Sequence, residues 1–200
     1  MKSTHEKLSI VIVNGSVRPG NYTAKATALV TNELLKDERV DVQVVNPLEY
    51  DLSFPGLPPG EGSHRLQSLI KKSAGVVLAT PEYHGSFSSV IKLVIENLGF
   101  PSVLSGKPVV LMGVAAGSIG AIKSLEQLRS VCSHVGAMVL PLPISVAFVA
   151  KIFDKNGRCL DPKTEERIRS VATSLMNYIH QNICPRFQLE QLLRQDAIEA

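Results

Sequence analysis

No stretch of this 200-residue sequence is apolar for long enough to cross a membrane, and the run at residues 8–13 is too short even for a secretory signal. Basic residues are equally unconcentrated. The net charge is +3 and the longest cationic run is Lys71-Lys72, so the dense patch that nucleic-acid binding needs is missing. Cysteine is scarce: Cys132, Cys159 and Cys184 are widely spaced and odd in number. That excludes a disulfide framework and a cysteine metal motif, and it favours a reducing, cytoplasmic setting. Internal repeats and low-complexity tracts are absent. Two nucleotide signatures are missing too. Asn21-Tyr22 stand where a Walker A loop has Lys and Ser/Thr, and no GxGxxG is present. What is there, at 44% hydrophobic and 20% charged residues, reads as one soluble globular domain. Its mild positive balance suits small anionic ligands.

The chain is organised around residues 75–98, GVVLATPEYHGSFSSVIKLVIENL. Residues 76–79 form the short apolar run of a strand buried on both faces. Val90, Ile91, Val94, Ile95 and Leu98 repeat as the stripe of an amphipathic helix. Between them lie Thr80-Pro81-Glu82-Tyr83-His84-Gly85-Ser86, a combination that core packing does not demand. A polar, aromatic-bearing loop at the carboxyl end of a buried strand is where open α/β sheets hold ligands.

Residues 8–14 predict a central strand, followed by a tight polar loop from Gly15 to Asn21. A helix runs over about residues 22–35 with Asn21 as its N-cap. A second strand follows at 40–45, then a long connection at 46–62 carrying Pro47, Pro55, Pro58 and Pro59. Leu66, Leu69 and Ile70 mark a short helix. Beyond the central unit come a strand at 109–114, a loop at 115–120, a helix bearing Leu125, Leu128, Cys132 and Val135, and a short strand at 138–140. Residues 144–150 are apolar without a defined form. A last helix starts at Asp161-Pro162, carries Ile168, Val171, Ala172, Leu175 and Ile179, and stops at Pro185. Strand and helix alternate five times, which calls for an α/β fold with a doubly wound parallel sheet. Five strands match the flavodoxin-like order 2-1-3-4-5, whose switch point lies between strands one and three. The domain spans residues 1–183; residues 184–200 form a tail whose Leu189, Leu192 and Leu193 suit a short docking helix.

Each loop has two readings. In residues 15–23, Ser16, Arg18, Asn21, Tyr22 and Thr23 surround a helix N-terminus that can hold a phosphate, although Gly, Pro and Asn also make ordinary turns. In residues 80–86, Pro81 and Gly85 let the backbone approach a flat ring, with Tyr83 and His84 against it; equally, Glu82 suits a solvated charge. Ala116-Gly117-Ser118-Ile119-Gly120 is one residue from the G-x-S-x-G nucleophile elbow, with Asp154 or Asp161 and then His180 in hydrolase order. Against that, His180 falls inside a helix and no HGGG-type segment is present.

Together these residues resemble the NADPH-dependent FMN reductase family, the flavodoxin-like quinone, chromate and azo-dye reductases. Gly15-Ser16-Val17-Arg18 is similar to its G-S-x-R phosphate loop, and Thr80-Pro81-Glu82-Tyr83-His84-Gly85 to its T-P-E-Y-N-x segment. Leu104-Ser105-Gly106-Lys107-Pro108-Val109 resembles its L-x-G-K-P-V lead, and Gly117-Ser118-Ile119-Gly120 the glycine-containing loop that follows. The chain departs from the family's usual Ser and Asn at Asn21 and Thr23, from Asn at His84, and from Gly and Arg at Ala121 and Lys123. The resemblance implies FMN as cofactor, NADPH as hydride donor, and small-molecule electron acceptors used in ping-pong fashion. It places Ser16, Arg18, Asn21, Tyr22, Thr23, Pro81, Glu82, Tyr83, His84, Gly85, Ala116, Gly117, Ser118 and Gly120 around the flavin. It also implies a homodimer or homotetramer. The remaining alternatives are a flavodoxin-type FMN carrier, which the basic pI of about 8.8 does not suit, and the serine hydrolase built on Ser118.

Overall fold

Leu8–Asn14 (β1) is a β-branched apolar strand whose residues 10–13 are fully buried, and it lies inside the sheet with a parallel strand on each side. A computed structural model describes residues 7–186. After β1 come α1 (Tyr22–Leu34), β2 (Val40–Val45), α2 (Glu61–Lys72), β3 (Gly75–Tyr83), β4 (Ser86–Phe87) and α3 (Ser89–Glu96). The second half holds β5 (Pro108–Val114), α4 (Ile122–His134), β6 (Met138–Val139), β7 (Ile144–Val146), α5 (Val149–Ile152) and α6 (Pro162–Tyr178).

The main path of the sheet is β2-β1-β3-β5-β6, with parallel neighbours throughout. Setting aside the two-residue β4, this is the expected flavodoxin-like order, with its switch point between β1 and β3. Alternate residues of β1 serve two cores. Ile10 and Ile12 pack with Ala26 and Val30 of α1 and Ile168, Val171 and Leu175 of α6. Val11 and Val13 pack with Leu66 and Ile70 of α2, Ile91 and Val94 of α3, and Leu125 and Leu128 of α4. Helices thus cover both faces, as a parallel sheet requires.

Four features differ from the sequence expectation. β3 does not end at Ala79: it continues to Tyr83 and pairs antiparallel with β4, Glu82 opposite Phe87 and Tyr83 opposite Ser86. The segment expected as a loop is therefore a strand end and a tight hairpin turn. The fifth strand is split, because Pro141 and Pro143 lack the N–H groups that a ladder needs. β6 pairs the start of β5 and β7 its end, so the undefined apolar stretch becomes β7 and α5. Within the 46–62 connection, Pro47–Glu49 makes one tight helical turn. Finally, helical backbone does not stop at Pro185 but runs to Arg186. A wider turn, Ile179–Ile183, precedes it, with the Cys184 N–H donating to the Ile179 carbonyl. Proline collides with the carbonyl four residues back in a regular helix, and the wider turn relieves that collision. Most of the expected tail, residues 187–200 with its docking helix, lies outside the described residues. Among those described, no helix is long and apolar enough to cross a membrane.

Candidate functional site

The loop after β1 starts under tight constraint. A Cβ on Gly15 would stand 2.4 Å from the Ala79 carbonyl oxygen and 2.4 Å from Ile91 Cγ1, so only glycine fits there. The Gly15 N–H donates to Ala79 O at 2.7 Å, and Ser88 Oγ donates to Gly15 O at 2.6 Å while accepting the Ile91 N–H. One serine thus ties the first loop to the start of α3. Asn21 shapes the rest of the turn. Its amide nitrogen donates to Ser16 O at 3.2 Å and Arg18 O at 2.7 Å, and its Oδ1 accepts the Ala24 N–H at 2.7 Å. The side chain is fully engaged, so Asn21 builds the cradle instead of offering a free donor. The N–H groups of Tyr22 and Thr23, at the first two positions of α1, have no partner within the helix and carry the positive end of its dipole. Arg18 is exposed beside them and Ser16 is buried, 3.5 Å from the Tyr83 hydroxyl.

The second element is the β3–β4 hairpin. His84 and Gly85 both have positive φ, 51° and 74°, as the central pair of a two-residue hairpin turn requires. Asparagine or glycine is the usual occupant of the first position of such a turn. The hairpin leans on α4: the Gln127 amide donates to Gly85 O at 3.1 Å and its oxygen accepts from Ser86 Oγ at 2.6 Å. Glu82 Oε2 accepts the Ser124 N–H at 3.1 Å, so this carboxylate caps a helix and is not a freely solvated charge.

The third element follows β5. Ala115 O accepts the Val149 N–H at 3.0 Å and Gly117 O the Phe148 N–H at 3.1 Å, which fastens α5 to this loop. Gly120 has φ +74°, and a Cβ there would come within 2.4 Å of Ser145 Oγ. Ser145 Oγ in turn accepts the Ala121 N–H at 2.8 Å.

The three elements meet at the carboxyl ends of β1, β3 and β5 around a cleft of about 390 Å³, inside the range of small-molecule sites. Of the expected residues, Ser16, Arg18, Asn21, Tyr22, Thr23, Pro81, Glu82, Tyr83 and Ala116 line it. His84, Gly85, Gly117, Ser118 and Gly120 do not: the first two form the turn of the hairpin, Gly117 and Ser118 are exposed, and Gly120 closes their loop as a buried residue. Pro19, Gly20, Val114, Ala115 and Val149 also line the cleft and were missed. Pro19 and Gly20 could have been found from their place inside the first loop. Val114, Ala115 and Val149 are plain aliphatic residues, which carry no chemical signature in a sequence.

The hydrolase triad is not assembled. Asp154 and Asp161 each accept backbone N–H groups in their own turns. His180 flanks Glu33, Lys36 and Asp37 at the carboxyl end of α1, a helix of thirteen residues whose opposite end faces the cleft. Burial pushes the Cys132 thiol up to about 12, which removes it as a nucleophile. Among the described residues, no group of three or more His, Cys, Asp or Glu could hold a metal ion.

The donor set suits a phosphorylated flat ligand: Arg18, two unpaired backbone N–H groups and hydroxyls at one end, and Pro81, Val114, Ala115 and Val149 as an apolar wall. The model of the NADPH-dependent FMN reductase family matches residues 8–150. An NAD(P)H-dependent FMN reductase of Pseudomonas aeruginosa is 26% identical over 180 residues, covering 87% of this chain and 96% of that protein. A quinone reductase of Escherichia coli is 28% identical over 186 residues, again 87% and 96% of the two chains. Among solved structures, the flavoenzyme NAD(P)H:(acceptor) oxidoreductase of Paracoccus denitrificans matches with a TM-score of 0.72 at 23% identity, over 88% of this chain and 98% of that one. Loop motifs, strand order and family match agree, and the chain belongs to the NADPH-dependent FMN reductase family: it is an oxidoreductase with FMN as cofactor and a reduced nicotinamide as electron donor.

Proposed function

We propose that the enzyme uses FMN held in this cleft to carry electrons from NADPH to a small acceptor, in a ping-pong cycle. The acceptors considered are a quinone, a free flavin, an azo dye and a metal oxyanion. The observation that carries the reading is the convergence of three strand-end loops on one cleft at the β1/β3 switch point. When bound, FMN supplies the two-electron chemistry, so the protein needs no nucleophile of its own. Ser16, Arg18 and the Tyr22 and Thr23 N–H groups hold the phosphate, while Asn21 keeps that loop in shape. Pro81, Tyr83 and Ala116 border the ring, and Glu82 orients their support through α4. His84 and Gly85 act through the hairpin turn, and Gly117, Ser118 and Gly120 through the course of the loop. With no separate dinucleotide fingerprint, donor and acceptor use the same open side in turn. A colourless protein that takes up no added FMN would refute this reading. NADPH oxidation by a quinone, with parallel lines when both substrates are varied, is the expected result; intersecting lines would end the ping-pong assignment. Ser118→Ala retains activity.

A cytoplasmic location accords with three cysteines that are all free. Assembly into a homodimer or homotetramer accords with the exposed Phe54, Leu57 and Phe100, and light scattering on the purified protein tests it.

A further inference from the structure

Among the described residues, three that are not glycine hold a positive φ: His84, Leu142 and Phe148. Phe148 is the bulkiest, at φ 48° and ψ 37°. A large side chain keeps this backbone only when its surroundings impose it, and such residues gather at ligand sites. The surroundings here are explicit. The Phe148 N–H donates to Gly117 O at 3.1 Å, the Val149 N–H to Ala115 O at 3.0 Å, and the Lys151 N–H to Phe148 O at 2.7 Å. Ala115 and Val149 both line the cleft, so this strap fixes Phe148 directly beside a lining residue in the chain.

The side chain is not hidden by the strap. Phe148 is 43% exposed, and Lys151 Nζ lies 5.2 Å from its ring centroid. Lys25 stands similarly over Tyr22, at 5.1 Å, but its ammonium donates to Asp154 O at 2.6 Å. Lys151 Nζ has no ion pair and no hydrogen bond among the described residues. An exposed aromatic ring beside an ammonium whose one contact here is that ring offers a stacking surface for a nucleobase and a charged donor for a phosphate ester. No GxGxxG loop exists elsewhere to take a dinucleotide.

We propose that Phe148 and Lys151 form the subsite for the nucleotide half of the reduced donor, its base packed on the Phe148 ring and a phosphate held by the Lys151 ammonium. This rests on the reading that the cleft holds FMN and accepts NADPH. Two variants of the holoenzyme test it, with steady-state kinetics, calorimetric binding of NADP⁺, flavin content and thermal midpoint measured for each. Lys151→Gln raises the KM for NADPH and the Kd for NADP⁺ about tenfold, the loss of one hydrogen bond to a charged group. Its kcat and acceptor KM stay unchanged. Phe148→Asn suits the left-handed backbone better, so its thermal midpoint holds or rises while donor affinity falls severalfold. A purely structural residue would not move stability and affinity in opposite directions. Loss confined to NADPH would mark the 2′-phosphate, and equal loss with NADH the diphosphate; both support the subsite. Unchanged donor affinity in both variants, or a rise in acceptor KM alone, overturns it. A parent protein without flavin or NADPH turnover would instead refute the functional reading beneath it.

Discussion

Replacing Glu82 by alanine removes a cap that α4 cannot supply for itself. Ala121 stands at the N-cap with no side-chain bond, and the first turn of α4 contains no acid. Glu82 reaches across from the end of β3 to accept the Ser124 N–H at 3.1 Å, placing a carboxylate against the positive end of the helix. Loss of an N-terminal cap costs about 1 kcal/mol, and loss of the charge beside the dipole about 0.5 kcal/mol more. Together they lower the thermal midpoint by about 3–6 °C in a domain of this size. Glu82→Gln keeps an acceptor and loses only the charge, so its midpoint falls by about 1–2 °C. Melting is followed by circular dichroism on flavin-free protein, so that ligand binding does not mask the change. Raising the salt concentration screens the charge and brings Glu82→Gln towards the parent, while Glu82→Ala stays below both. An alanine variant that melts within about 1 °C of the parent would refute the capping role.

Arg18→Ala weakens FMN binding by about 1.5–3 kcal/mol, the worth of a hydrogen bond from a charged group, as read by flavin titration; unchanged affinity would put the phosphate elsewhere. His84→Asn gives the Asn-Gly pair that this turn favours and raises the midpoint in denaturant titration, and a loss of stability would show that the imidazole contributes more than backbone shape. Hydrogen bonding from Thr164 holds the Asp161 carboxyl below its ordinary value. Its cap on α6 therefore stabilises the fold above the ordinary carboxylate range and is lost as the pH falls through the lowered value. Asp161→Asn should flatten the acid limb of the stability–pH profile; an unaltered limb would show that other groups govern it.

Local chemistry made much of the fold legible. The β-branched runs located β1 and β2, the Asn21 cap fixed the start of α1, and Asp161-Pro162 fixed the start of α6. What stayed hidden depends on partners distant in sequence. Two residues of β4 are too few to show a period, and they form a strand only because β3 lies beside them. Pro185 stops a regular helix, but not one whose preceding turn has already widened. At the site, polar residues with distinctive donors were visible in advance. The wall made by Val114, Ala115 and Val149 was not, since aliphatic side chains at the ends of a strand and a helix look like core until the cleft is closed around them. Glu82 was visible as a charge, but its partner lies 42 positions along the chain.

The broken fifth strand bears on how copies of this protein can associate. Between β6 and β7 the outer edge passes through Pro141, the exposed Leu142 with φ 59°, and Pro143. Another strand approaching that edge finds no N–H at either proline and a chain that turns out of register between them. Residues 141–143 of the β6–β7 margin therefore offer a second copy no continuous ladder to add to.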